Sequence, residues 1–119
     1  CPDSPPEGMS MHEFEALYDA NVDEWCDLVR QLLQKFRGYE CKEPEKGKFT
    51  LAFQDFKDAI AFACSAQSEL MDLDYDARLL EHSACAVVLD PSSGQPVFRG
   101  LRATIGLAFG KATFRKPLT

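Results

Sequence analysis

Apolar residues recur at three- and four-residue steps from Phe14 through Leu17, Tyr18, Val22, Trp25, Leu28, Val29, Leu32 and Leu33 to Phe36. One stripe at that spacing predicts a long amphipathic helix, or two helices broken near Ala20-Asn21. Ser10 with Glu13 forms a capping box at its start, and Gly38 is placed to end it in the left-handed conformation. The period then drops to two. Phe49, Leu51 and Phe53 alternate with Thr50 and Ala52 as a half-buried strand. Tyr39 to Lys42 supplies a short partner strand, and polar Pro44 to Lys48 the turn of a hairpin. A second helix follows, capped by Asp55 with Asp58 in its first turn. Phe56, Ala59, Ile60, Ala63, Ala66, Gln67 and Leu70 lie on one face of it, and it frays over residues 72–76. Ala84 to Leu89 is apolar and β-prone, Pro91-Ser92-Ser93-Gly94 is a turn, and Val97-Phe98 pairs back across it. Leu101, Ala103, Ile105 and Leu107 alternate with Arg102 and Thr104, which predicts another strand. Gly106 and Gly110 mark a close approach of another backbone or a sharp exit.

Strand runs interrupted by packed helices predict an α+β fold, with helices on one face of a largely antiparallel sheet. Residues 1–9, with three prolines and a glycine, form an N-terminal loop. Residues 10–119 form one domain, which reads as cut before its C-terminal half because no regular element follows Lys116-Pro117-Leu118-Thr119.

The composition narrows the function. A net charge of −6 gives no reason to expect nucleic acid or an anionic membrane as partner. The charge is polarised: residues 1–29 hold eight carboxylates and no Lys or Arg, whereas residues 99–119 hold five cations (Arg99, Arg102, Lys111, Arg115, Lys116) and no acid. Those cations either make a solvated face or meet an anion, a phosphate or an acidic partner surface. Five widely spaced cysteines without zinc spacing or a disulfide framework favour a reducing, intracellular and cytoplasmic setting. Cys26 and Cys64 fall inside helical patterns, where Cys behaves as a small hydrophobe. No apolar run approaches the roughly 20 residues needed to cross a bilayer, so membrane insertion by this segment is not expected. His12 and His82 stand in no nucleophilic constellation and read as surface residues.

Four segments carry a family resemblance: Gly38-Tyr39-Glu40-Cys41-Lys42, Phe49-Thr50-Leu51-Ala52-Phe53, Asp58-Ala59-Ile60-Ala61-Phe62-Ala63 with Gln67 and Leu70, and Arg99 to Gly110. In order and spacing, over roughly residues 8–110, they resemble the class III adenylyl/guanylyl cyclase catalytic domain, in the form common among green algae. That family reads G-Y-E-V-K-T-x-G-D-x-F-M-x-A-F, then D-A-x-x-F-A-x-x-x-Q-x-x-L, then G-L-x-V-R-I-G-x-H-x-G. The resemblance implies a ferredoxin-like cyclase fold, here partial.

The family's chemistry rests on two aspartates that hold two divalent metals against a nucleoside triphosphate. Matched onto this chain, those positions fall at Pro5, just before Glu7-Gly8, and at Gly47, flanked by Lys46 and Lys48. Lysines in place of a carboxylate are electrostatically wrong for a dication. Lys42 falls at the base-selecting position; its alternative is a solvated strand lysine paired with Glu40 or Glu43. The family's transition-state asparagine and arginine lie past Thr119. The resemblance therefore implies a catalytically degenerate domain with no cofactor, acting as a structural or partner-binding module. A protein partner or a second cyclase-like domain would cover its sheet. The alternative is one part of an active cyclase that makes cyclic nucleotide and pyrophosphate from ATP or GTP, with Mg or Mn held through a second copy. A third reading is a regulatory domain that binds ATP or GTP through its basic tail without turnover.

Overall fold

A computed structural model describes Pro5, residues 8–108 and Gly110. Its element order is α1 (Met11–Lys35), β1 (Gly38–Glu45), β2 (Lys48–Phe53), α2 (Phe56–Met71), α3 (Ala77–Leu80), β3 (Val88–Leu89) and β4 (Pro96–Phe98). The α+β class stands, but the single sheet does not. Among the described residues there are two separate two-stranded antiparallel sheets, β1–β2 and β3–β4.

Helix α1 is one unbroken helix of 25 residues, roughly 37 Å long at 1.5 Å per residue. Its start is as expected: the Ser10 hydroxyl accepts the Glu13 N–H at 3.1 Å. Asn21 does not break it. The Asn21 side chain is buried and donates its amide to the Asp74 carbonyl at 3.0 Å, so the polar group in the helix interior is satisfied. The length lets α1 serve two cores. Its first turn delivers Phe14 to a cluster with Leu70, Tyr75, Leu79, Cys85 and Leu101. Its last turns deliver Val29, Leu32 and Leu33 to a second cluster with Phe62 and Ala66, closed from the hairpin side by Phe49, Leu51 and Phe53.

The helix ends differently from the sequence expectation. Arg37, not Gly38, takes the left-handed conformation (φ 58°). Gly38 is needed for space: a Cβ there would stand 2.3 Å from Leu33 Cδ2 and 2.5 Å from Phe53 Cε1. Strand β1 is longer than predicted and carries Pro44, which leaves a two-residue turn at Lys46-Gly47. Tyr39 pairs with Ala52 and Lys42 with Thr50, with irregularities in register on both sides of Lys42.

Helix α2 is capped by Asp55, whose carboxylate accepts the Lys57 N–H at 2.9 Å. Its buried face is Phe62, Ala66 and Leu70; Phe56 and Ile60, expected on that face, are 55% and 40% exposed. Cys64 is also exposed, whereas Cys26 is buried as expected. Beyond Asp72 the chain does not merely fray. Asp76 caps the single turn of α3 by accepting the Arg78 N–H.

Only Val88–Leu89 of the predicted 84–89 strand pairs, with Val97-Phe98 opposite as foreseen. Residues 101–108 form no strand, although Leu101, Ala103 and Ile105 alternate inward with exposed Arg102 and Thr104. The alternation is present and the ladder partner is not. No helix among the described residues is long and apolar enough to cross a membrane.

Candidate functional site

The hairpin tip is the candidate site, because the cyclase resemblance would put a metal-binding aspartate at Gly47 there. Helix α1 lies against it. The Trp25 indole N–H donates to the Gly47 carbonyl at 3.0 Å. The Gly47 N–H donates to the Glu43 carboxylate at 3.0 Å. Gly47 itself has φ 86°, and a Cβ would come within 3.1 Å of Val22 Cγ1. Both backbone groups of Gly47 are thus occupied, and the position is shaped for a residue with no side chain.

The flanking charges also have partners. Lys46 Nζ lies 2.7 Å from the Asp23 carboxylate, and Lys48 Nζ 3.1 Å from that of Glu45. The hydrogen bond to Asp23 raises the Lys46 pKa. Arg30 bridges two acids on β1, Glu40 and Glu43, each at 3.2 Å, and lies 5.4 Å from the centre of the Phe49 ring. Glu43 is the hub. It also accepts the Cys26 thiol at 3.6 Å. The Gly47 N–H, foremost, holds the Glu43 carboxyl below its ordinary value. Burial, then the adjacent Glu43 charge, pushes the Cys26 thiol up, so it stays protonated and serves as donor. This network was not legible in the sequence. Arg30 reads there as one more polar position on a helix, and only the fold brings it over β1.

Lys42 is exposed on β1. Glu40 and Glu43, its expected partners, are taken by Arg30, and Lys42 enters no ion pair among the described residues. It lines neither the groove beside α2 and β4 nor the one at Arg37 and Asp55. Pro5 is half-buried in no regular element; Glu7, Asp3 and the tail cations Lys111, Arg115 and Lys116 lie outside the described residues. Among the described residues no group of three or more Asp, Glu, His or Cys side chains is placed to hold a metal ion.

Two of the five candidate anion-binding cations donate to carbonyls of the chain itself: Arg99, which is half-buried, and Arg102, which is exposed. Arg99 Nη1 donates to the Met71 and Leu73 carbonyls at 2.7 and 2.9 Å, closing the end of α2, and its guanidinium lies 5.2 Å from the centre of the Tyr75 ring. Arg102 donates to the Gly100 and Ala86 carbonyls at 2.7 and 2.6 Å. His82 is half-buried. Its Nδ1 accepts the Ala84 N–H at 3.0 Å, and its ring packs 5.1 Å from that of Phe14.

No protein-family model and no solved structure matches the chain. Similarity to curated proteins is found with three large proteins of Acanthamoeba polyphaga mimivirus. One bears the name "Putative serine/threonine-protein kinase/receptor R826"; it is 35% identical over 88 residues, which cover 70% of this chain and 5% of that protein. Two bear the same name with the designations R818 and R831. They are 33% identical over 107 residues (86% and 6%) and 29% identical over 99 residues (78% and 6%). The chain therefore spans about one twentieth of the length of the relatives it matches.

Proposed function

We propose that this chain is a cyclase-like segment without metal chemistry, which serves as a partner-binding module in a much larger kinase/receptor-type protein. The observation that carries the reading is the state of Gly47. At the position where the resemblance calls for a metal-binding aspartate, the chain has a glycine of positive φ. Its N–H and carbonyl are both bound within the protein, and helix α1 stands against its missing side chain. The neighbouring Lys46 and Lys48 are paired with carboxylates of the same chain. Such a tip supports use as a packing element between helix and hairpin. The size of the mimivirus relatives supports the setting: a domain-sized stretch inside a long signalling chain.

The rest of the surface fits a module that is covered by another protein. Val87, Val88, Leu89, Val97, Phe98 and Leu107 are each between 44% and 55% exposed. Five of them lie on or next to the β3–β4 hairpin, and Val97, Phe98 and Leu107 line one groove, an exposed apolar surface of the kind that marks an interaction site. The test is to incubate the purified protein with ATP or GTP and Mn²⁺ and to assay cyclic nucleotide by mass spectrometry. No product is expected. Cyclic nucleotide formation that Lys42→Ala abolishes would sink the reading and restore a catalytic one.

A further inference from the structure

Resting on that reading, the partner's chemistry is written in the segment 101–107. Its side chains alternate as in a strand, yet it lies in no sheet. Between Arg102 and Ala108 the only backbone group with a partner among the described residues is the Ala103 carbonyl, which accepts the Gln67 amide at 2.8 Å. That bond fixes the segment to α2 through a single carbonyl and leaves the other backbone groups of 102–107 open among the described residues. A row of open N–H and C=O groups on an extended, tethered chain is a template for strand addition.

Two further observations select the occupant. Gly106 interrupts the alternation at a position where a glycine ordinarily admits a close backbone. Here a Cβ would meet nothing within 4 Å, so the space is present and unfilled by the described chain. Beside it runs a groove of about 600 Å³ between α2, β4 and this segment. Val97, Phe98, Ile105 and Leu107 make its apolar wall. Its charged lining residues are Arg99 and Arg102, with no carboxylate, on a chain of net charge −6. Neither arginine has a carboxylate partner among the described residues, and Arg102 is exposed with its guanidinium 4.9 Å from the centre of the Phe98 ring. Charge complementarity favours an acidic strand.

We infer that residues 102–107 are a docking edge for an extended partner segment in which carboxylates alternate with apolar residues. The segment adds as a strand over Gly106, with its apolar side chains in the groove and its acids on Arg102.

The test uses a short fluorescein-labelled peptide alternating glutamate and valine, read by anisotropy and by amide hydrogen exchange of the protein. Expected are saturable binding, slowed exchange at 102–107, and loss of binding when alternate peptide nitrogens are methylated. Arg102→Gln should weaken binding about ten-fold, the scale of one charge-assisted hydrogen bond. Gly106→Leu should leave the unbound protein's thermal unfolding unchanged, since its side chain meets open space, and abolish binding. Leu107→Asp, at an exposed site, should weaken binding without unfolding the chain. Equal binding of a lysine–valine peptide, unchanged affinity in Gly106→Leu, or no binding at all would overturn the inference. So would protection of 102–107 by self-association without peptide, or by phosphatidylserine vesicles in its place. None of these outcomes touches the cyclase assay, which decides the module reading separately.

Discussion

Gly47 sits in the turn of a hairpin and Gly106 in a strand-like alternation, and their surroundings are opposite. A Cβ on Gly47 would press on Val22 at 3.1 Å, while one on Gly106 would meet nothing within 4 Å. The first belongs to a hairpin whose strands pair with each other, whose tip carbonyl is bound by Trp25 of α1, and whose flanking lysines pair with Asp23 of α1 and Glu45 of β1. The second belongs to a segment with the same alternation and no ladder. The hairpin is local: its strands are joined by two residues, so pairing follows from the turn. The segment 101–107 needs a strand from elsewhere, and the described chain supplies none. The difference separates a region complete in itself from one whose pattern is complementary to something outside it.

The firmest hold on the open end lies just before it, at Gly100. This residue has φ 79°, and a Cβ would fall 2.0 to 2.4 Å from three atoms of the buried Tyr75 ring. Gly100→Ala should therefore cost about 3 kcal/mol or more, from overpacking together with left-handed strain. Urea unfolding measures the loss, and hydrogen exchange should place it around 85–101 rather than in the hairpin. Equal loosening of both ends would mean the two cores are one cooperative unit. Next comes Arg99→Met, which strips the Met71 and Leu73 carbonyls of their donor and should cost roughly 1.5–3 kcal/mol. A loss under the error of the measurement would show that water replaces the guanidinium there.

Much of the fold could be read from the sequence where the signal was periodic and local. The α1 stripe, the Ser10 and Asp55 caps and the β1–β2 hairpin needed only spacing and turn chemistry. The division into two small sheets could not be read, because alternation in 101–107 announces a strand and says nothing about whether a neighbour exists. Gly38 was legible as special but for another reason: the helix turns at Arg37, and Gly38 makes room for Leu33 and Phe53. At the candidate site the tip residues and Gly47 were marked by the family pattern. The Arg30–Glu43–Cys26 network was not, since its members lie 13 and 17 residues apart in sequence and meet only when α1 folds over β1.

A smaller effect sharpens the closed end. Gly47→Asp restores the aspartate that the resemblance calls for, so it tests whether that single residue is what the tip lacks. Its side chain must enter a left-handed backbone and displace Val22, at about 1–2 kcal/mol. The variant should remain folded, with a lower urea midpoint, and should make no cyclic nucleotide from Mn²⁺-ATP. Activity in this variant would show that the tip had kept a catalytic frame despite its packing contacts.

The weakest hold to be tested is the carboxylate within the tip. Glu43 has its pKa lowered in the folded protein, first by the Gly47 N–H and then, after an opposing contribution from desolvation, by Cys26 and Arg30. A depressed folded value means the native state binds its proton less readily than the unfolded chain does. Its contribution is then present above the unfolded value and is lost as pH falls through the folded one. Acidification below roughly 4.3, the ordinary glutamate value, should loosen the tip. Glu43 is exposed to solvent, so the change in overall stability is small and the local readout is the useful one. In an NMR titration the Gly47 amide should shift with the Glu43 midpoint, and Arg30→Gln should move that midpoint upward. The other hairpin offers the control: Asp90 is also lowered, first by the Ser92 N–H, in a turn that α1 does not hold. Its midpoint should ignore Arg30→Gln. If both midpoints move together, the two ends communicate, and the division between a closed and an open end is drawn in the wrong place.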